Sequence, residues 1–216
     1  MMNIKHHLTD DILMAYSAGT LPEAFNLVVA THLSMCDECR AAAASYDAVG
    51  GAVLESDEVA TISDGAFKAT LKLISEMPKD AIQTVQAHKP GIFPTPLQDY
   101  VGGDLDSVQW RGIGMGVKQA VLKTSKEASV RLLYIPAGAA MPDHSHKGME
   151  MTLVLQGAFS DEDGRFGRGD IEIADQELHH HPVAEAGEDC ICLAATDAPL
   201  KFNSLIPRIA QPFLRI

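Results

Sequence analysis

Long apolar runs are missing from this chain. None approaches the roughly 20 residues that a bilayer-spanning helix needs. The opening stretch Met1-Met2-Asn3-Ile4-Lys5-His6-His7 has no apolar core of the kind a secretion signal carries. The expectation is a cytoplasmic protein with no membrane contact. Basic residues are also scarce: 17 Lys+Arg stand against 29 Asp+Glu, a net charge of −12. The electrostatic footprint of a direct DNA or RNA binder is therefore absent. Cysteine is limited to Cys36, Cys39, Cys190 and Cys192. In a reducing compartment such pairs are metal-binding, redox-active or buried, and do not form a disulfide framework. Neither His-x-Glu nor Pro-Cys-x-x-Cys occurs, which excludes a zinc nucleobase deaminase. No internal repeat or low-complexity tract is present.

What remains is enough for a two-domain protein. Of 216 residues, 46% are hydrophobic, so real cores can form. Residues 1–85 read as helical and acidic, with 5 Lys+Arg against 12 Asp+Glu. That charge suits a basic protein partner and equally suits simple solubility. Thr9 with Asp10 and Asp11 marks a first helix start, and Gly19 its stop. Thr20-Leu21-Pro22-Glu23 has capping-box spacing and opens a second helix through Leu33. A third helix is expected from Glu38 to about Val49, ended by Gly50-Gly51. A fourth is expected from Ser63, with Phe67, Leu71 and Ile74 on one face.

Pro78, Pro90, Pro94 and Pro96 punctuate a stretch without period, so residues 86–98 read as a linker. Beyond it, Val117–Leu122, Ser129–Ile135, Met151–Leu155, Asp170–Ala174 and Cys190–Ala195 are β-rich runs separated by turn residues. The expected architecture is α + β in two domains: a small N-terminal bundle of about four helices over 1–85, and an antiparallel β-barrel over 99–216. Trp110 and Tyr134 read as core aromatics.

Nine histidines are more telling than the cysteines. His32 and Cys36 are four apart and Cys36 and Cys39 three apart, spacings that share one helix face. A closed structural zinc site needs four ligands; His6 or His7 can supply the fourth. The pattern His-x3-Cys-x2-Cys with an upstream histidine resembles the zinc-binding anti-sigma family over residues 1–85. In that family a small helical domain wraps an extracytoplasmic-function sigma factor. The resemblance implies zinc at His7, His32, Cys36 and Cys39, the second member of the doublet being the ligand.

The run from Gly138 to Gly157 reads Gly-x5-His144-x-His146-x3-Glu150-x6-Gly and matches the first cupin motif at each defined position. Two histidines two apart on a strand point to one face, and an antiparallel return can bring Glu150 to the same pocket. The second cupin motif is weaker. Gly169-Asp170 opens it and spacing selects His180, but Asp175, Glu177 and Ala184 replace its proline, glycine and asparagine. The candidate ligands are His144, His146, Glu150 and His180, with zinc first among divalent metals. Cys190 and Cys192 face one side of a strand with Cα atoms about 6.5–7 Å apart, which favours core packing over a disulfide; a redox role is the alternative.

Together the two halves resemble zinc-binding anti-sigma factors that carry a cupin domain. That resemblance implies 1:1 sequestration of a group IV sigma factor, released on oxidative, singlet-oxygen-type stress sensed by the barrel. The competing reading is a metal-dependent cupin enzyme, a dioxygenase or isomerase, with the helices as scaffold. No convincing acid or base stands near the motifs, so a non-enzyme is expected.

Overall fold

A computed structural model describes residues 3–57, 59–77, 90–141, 144–145, 148–174, 179–198 and 201–202. Among the described residues of the N-terminal half are five α-helices: α1 (Asp10–Ser17), α2 (Glu23–Leu33), α3 (Asp37–Ser56), α4 (Ala66–Glu76) and α5 (Thr95–Val101). Thr9 occupies the N-cap of α1 without a side-chain capping bond, so the first turn relies on Asp10 and Asp11. Gly19 takes φ +67°, the left-handed conformation that ends the helix. The expected capping box before α2 does not form. Pro22 is its N-cap, and the Thr20 hydroxyl instead donates back to the Ala15 carbonyl at 3.1 Å. The third helix also outruns its expected stop. It continues through Gly50-Gly51 to Ser56, because neither glycine adopts positive φ and the good helix formers on both sides carry it onward.

Twelve strands follow among the described residues: β1 (Arg111–Gly114), β2 (Val117–Leu122), β3 (Ser129–Ile135), β4 (His144–Ser145), β5 (Glu150–Gln156), β6 (Ala158–Ser160), β7 (Arg165–Gly167), β8 (Ile171–Ala174), β9 (His179–His180), β10 (Val183–Ala184), β11 (Cys190–Thr196) and β12 (Lys201–Phe202). They form an antiparallel six-stranded sheet ordered β1-β2-β3-β11-β5-β8 and two three-stranded sheets, β10-β6-β7 and β12-β4-β9. All five expected β-rich runs are strands within one residue of their expected ends.

Alternation on the large sheet creates two cores. One face carries Val117, Ile135, Val154, Cys190 and Cys192, closed by Phe159 and Phe166 of the smaller sheet. The other carries Leu132, Met151, Leu153, Ile171 and Leu193, and it is covered by α2 through Phe25, Val28 and Val29. The helices and the barrel therefore share one core. Phe93 and Leu97, in the proline-punctuated stretch, are buried in it. No helix among the described residues is long and apolar enough to cross a membrane.

Candidate metal centre

His32 lies in the last turn of α2, but the three closely spaced donors do not share a single helix as their spacing suggests. The chain breaks after Leu33, Ser34 caps α2, and Cys36 is the N-cap of α3, with Cys39 in that helix's first turn. Asp37 and Glu38 start the new helix where its positive end favours acids. The donors converge across a helix–helix corner. His7 enters from the segment before α1. The ligating atoms of His7, His32, Cys36 and Cys39 all lie within 4.8 Å of one another. His6, the alternative fourth donor, faces away and packs on the Phe166 ring at 4.3 Å between centroids.

Each donor has a partner behind it. His7 places Nδ1 at 3.3 Å from Cys36 Sγ and 3.6 Å from Cys39 Sγ, while its Nε2 stands 3.5 Å from the Glu38 carboxylate. The Cys39 amide donates to Cys36 Sγ at 3.4 Å, and the Leu8 backbone bonds the Cys39 thiol. His32 is fully buried, with Nδ1 at 3.0 Å from the Gly169 carbonyl. A carbonyl only accepts, so Nδ1 carries the proton and Nε2 holds a bare lone pair. Nε2 has no hydrogen-bond partner among the described residues. A buried polar atom left unpaired costs free energy, and a metal ion resolves it. Burial lowers the His32 pKa to about 4, keeping the imidazole in the neutral form that binds metal. Burial pushes the Cys39 thiol up to about 12, an opposition that a coordinated cation would reverse. Two imidazoles and two thiols with the corner closed around them fit a four-coordinate structural zinc.

The barrel candidates are less completely assembled among the described residues. His144 and His180 are direct backbone partners in the β4–β9 pairing; their side chains lie outside the described part. His146 lies outside the described residues altogether. Glu150 is buried at the start of β5, and Thr152 donates to its Oε1 at 3.3 Å. Behind it, buried Arg131 bonds Gln119 and Ser129 at 3.4 Å each. Burial opposes the Arg131 charge and Glu150 supports it. Cys190 and Cys192 are free thiols in the barrel interior, with sulfurs 3.5 Å apart. Trp110 meets Tyr134 edge-on at 5.9 Å.

Residues 98–199 match the family model described as the ChrR cupin-like domain. The anti-sigma-E factor ChrR of Cereibacter sphaeroides is 57% identical over 215 residues, covering all of both chains. The chain belongs to the ChrR family of anti-sigma factors. A crystal structure of Rhodobacter sphaeroides SigE in complex with the anti-sigma ChrR is also similar, with a TM-score of 0.78 and 56% identity over 90% of this chain and all of the other. Three features of this structure are not visible in the sequence pattern. Glu38 behind His7 looks like an ordinary first-turn acid. Arg131 looks like a surface strand residue. Gly169-Asp170 read as the opening of a cupin motif, yet its carbonyl sits on the metal centre of the helices.

Proposed function

We propose that this protein holds an extracytoplasmic-function (group IV) sigma factor in a 1:1 cytoplasmic complex and releases it under oxidative, singlet-oxygen-type stress sensed by the barrel. The observation that carries the reading is an apolar surface that nothing among the described residues buries. On α4, Phe67 is 76% exposed, Leu73 66% and Ile74 59%, and Val53 and Leu54 at the end of α3 are equally open. Open apolar helix faces suit the hydrophobic helices of such a partner, and the acidic balance of residues 1–85, 12 Asp+Glu against 5 Lys+Arg, suits its basic ones. The complex of its relative with SigE supports a partner of that class. Residues 1–85 are the proposed sigma-binding unit, 86–98 the connection and 99–216 the sensor. Zinc on His7, His32, Cys36 and Cys39 locks α2, α3 and the N-terminal segment into one geometry. A second divalent metal, zinc first, is assigned to His144, His146, Glu150 and His180. No turnover is assigned to the barrel. The test is sigma-dependent transcription in vitro with the purified chain. Wild type is expected to inhibit, and the double variant Phe67→Asp, Leu71→Asp to leave transcription running. Equal inhibition by both overturns the reading.

A further inference from the structure

The turn between β7 and β8 belongs to the barrel, yet it is aimed at the metal centre of the helices. Gly169 accepts a hydrogen bond from His32 through its carbonyl at 3.0 Å. The next residue, Asp170, is 3% exposed, and its Oδ1 accepts from the backbone N–H groups of Lys5 at 2.6 Å and His6 at 3.0 Å. Its Oδ2 accepts from the Gly167 amide at 2.8 Å, which ties the carboxylate to its own turn. The Ile171 amide then donates to the His6 carbonyl at 3.3 Å, so the segment before His7 runs along β8. Gly169 itself is fixed by its amide bond to Val154 at 2.8 Å. It has φ +91°, and a Cβ there would fall 2.8 Å from Ile4. A glycine is needed both for the conformation and for the approach of the N-terminal segment.

We propose that the Gly169–Asp170 turn is a positioning clamp on the metal centre: its carbonyl fixes the tautomer and ring direction of His32, and its carboxylate holds the backbone that delivers His7. Two of the four donors are thereby set by the barrel and not by the helices that carry the thiols. Partners behind metal ligands commonly govern affinity 10- to 100-fold. Linkage is reciprocal: a barrel that shifts on the helices loosens the metal, and loss of metal loosens the barrel's grip on residues 5–6. The clamp rests on the zinc reading of the four-donor cluster.

The experiment uses the full-length chain. Metal analysis first establishes the zinc content of the wild-type protein and the loss of one equivalent in Cys36→Ser. Release of that equivalent, identified as the one missing from Cys36→Ser, to a colorimetric chelator is then timed. Asp170→Ala is expected to release zinc on the order of 10- to 100-fold faster, and Asp170→Asn, which keeps one accepting oxygen, to fall between. Cobalt substituted for zinc gives the direct signature: altered d–d bands in Asp170→Ala with the thiolate charge-transfer band retained. Wild-type rates and spectra in a folded Asp170→Ala chain overturn the clamp. If Asp170→Ala does not fold, amide exchange of the wild-type chain decides. Removing zinc is expected to deprotect Lys5, His6 and Ile171 while strand β2 stays protected; protection of the three that ignores zinc overturns the proposal. A wild-type chain without zinc in this cluster overturns both the clamp and the zinc reading, whereas a zinc-loaded chain with unchanged release overturns the clamp alone.

Discussion

Helices α2 and α4 are both eleven residues long, and the chain treats them in opposite ways. Eight residues of α2 are buried, Phe25, Val28 and His32 among them, whereas α4 buries none. α2 is apolar almost all round, so it needs cover on two sides and finds it between α1, α3 and the large sheet. α4 is one-sided, with Phe67, Leu71 and Ile74 on one stripe and Lys68, Lys72 and Glu76 elsewhere. Its apolar stripe meets nothing among the described residues that buries it. Amphipathic spacing thus states that a face will be covered without stating by which molecule. The difference sets a helix buried on two sides apart from one whose apolar stripe stands open, the stripe proposed above to meet the sigma factor.

Five variants test that contrast and the barrel's part in it. The largest effect is expected from Cys36→Ser, since metal coupled to folding is worth about 10–16 kcal/mol in small zinc domains. Zinc in the helical half and sigma binding should both be lost, measured by metal analysis and co-purification. Retention of both would show that the corner beside α2 does not depend on metal. Phe25→Ala on α2 comes next, with a stability loss of about 3–5 kcal/mol in denaturant unfolding. A loss below 1 kcal/mol would remove the distinction between the two helices. Phe67→Asp on α4 should do the reverse: unfolding moves by no more than about 0.5 kcal/mol, while sigma affinity falls about 30-fold or more, the scale of a 2 kcal/mol interface anchor. Isothermal titration against the sigma factor separates the two quantities. The smallest effect on inhibition is expected from Glu150→Ala. Repression should stay at the wild-type level while induction under singlet-oxygen challenge is blunted, read from a sigma-driven reporter at equal protein level. Normal induction in that variant and in His144→Ala would take the barrel metal out of the switch.

The strands were legible because their β-branched and aliphatic runs are bounded by glycine and aspartate, and period two leaves little freedom in register. The four candidate metal donors were legible as a set, since three sit within eight residues of sequence. Their geometry was not. Spacing placed them on one helix face, and the break at Ser34 shows that a corner can present the same three side chains. The run through Gly50-Gly51 was missed because a glycine stop is a conformational option that needs positive φ, and here α3 does not take it. The clamp could not be read at all: His32 and Gly169 are 137 residues apart, and a backbone carbonyl leaves no trace in residue type. The same holds for the shared core, where Phe93 and Leu97 dock under α2 within a stretch whose prolines suggested only a connection.

The distance between His32 and Gly169 also sets an order of events during synthesis. All four donors have been polymerised once residue 39 is made, whereas the sheet that covers α2 and the carbonyl that meets His32 come much later. Gly169 follows His32 by 137 residues, about 7–27 s at ordinary translation rates of roughly 5–20 residues per second. Through that interval His32 is free to present either ring nitrogen. On the proposed clamp, arrival of the β7–β8 turn then selects one, so the barrel sets the last donor of a centre whose other side chains were made first.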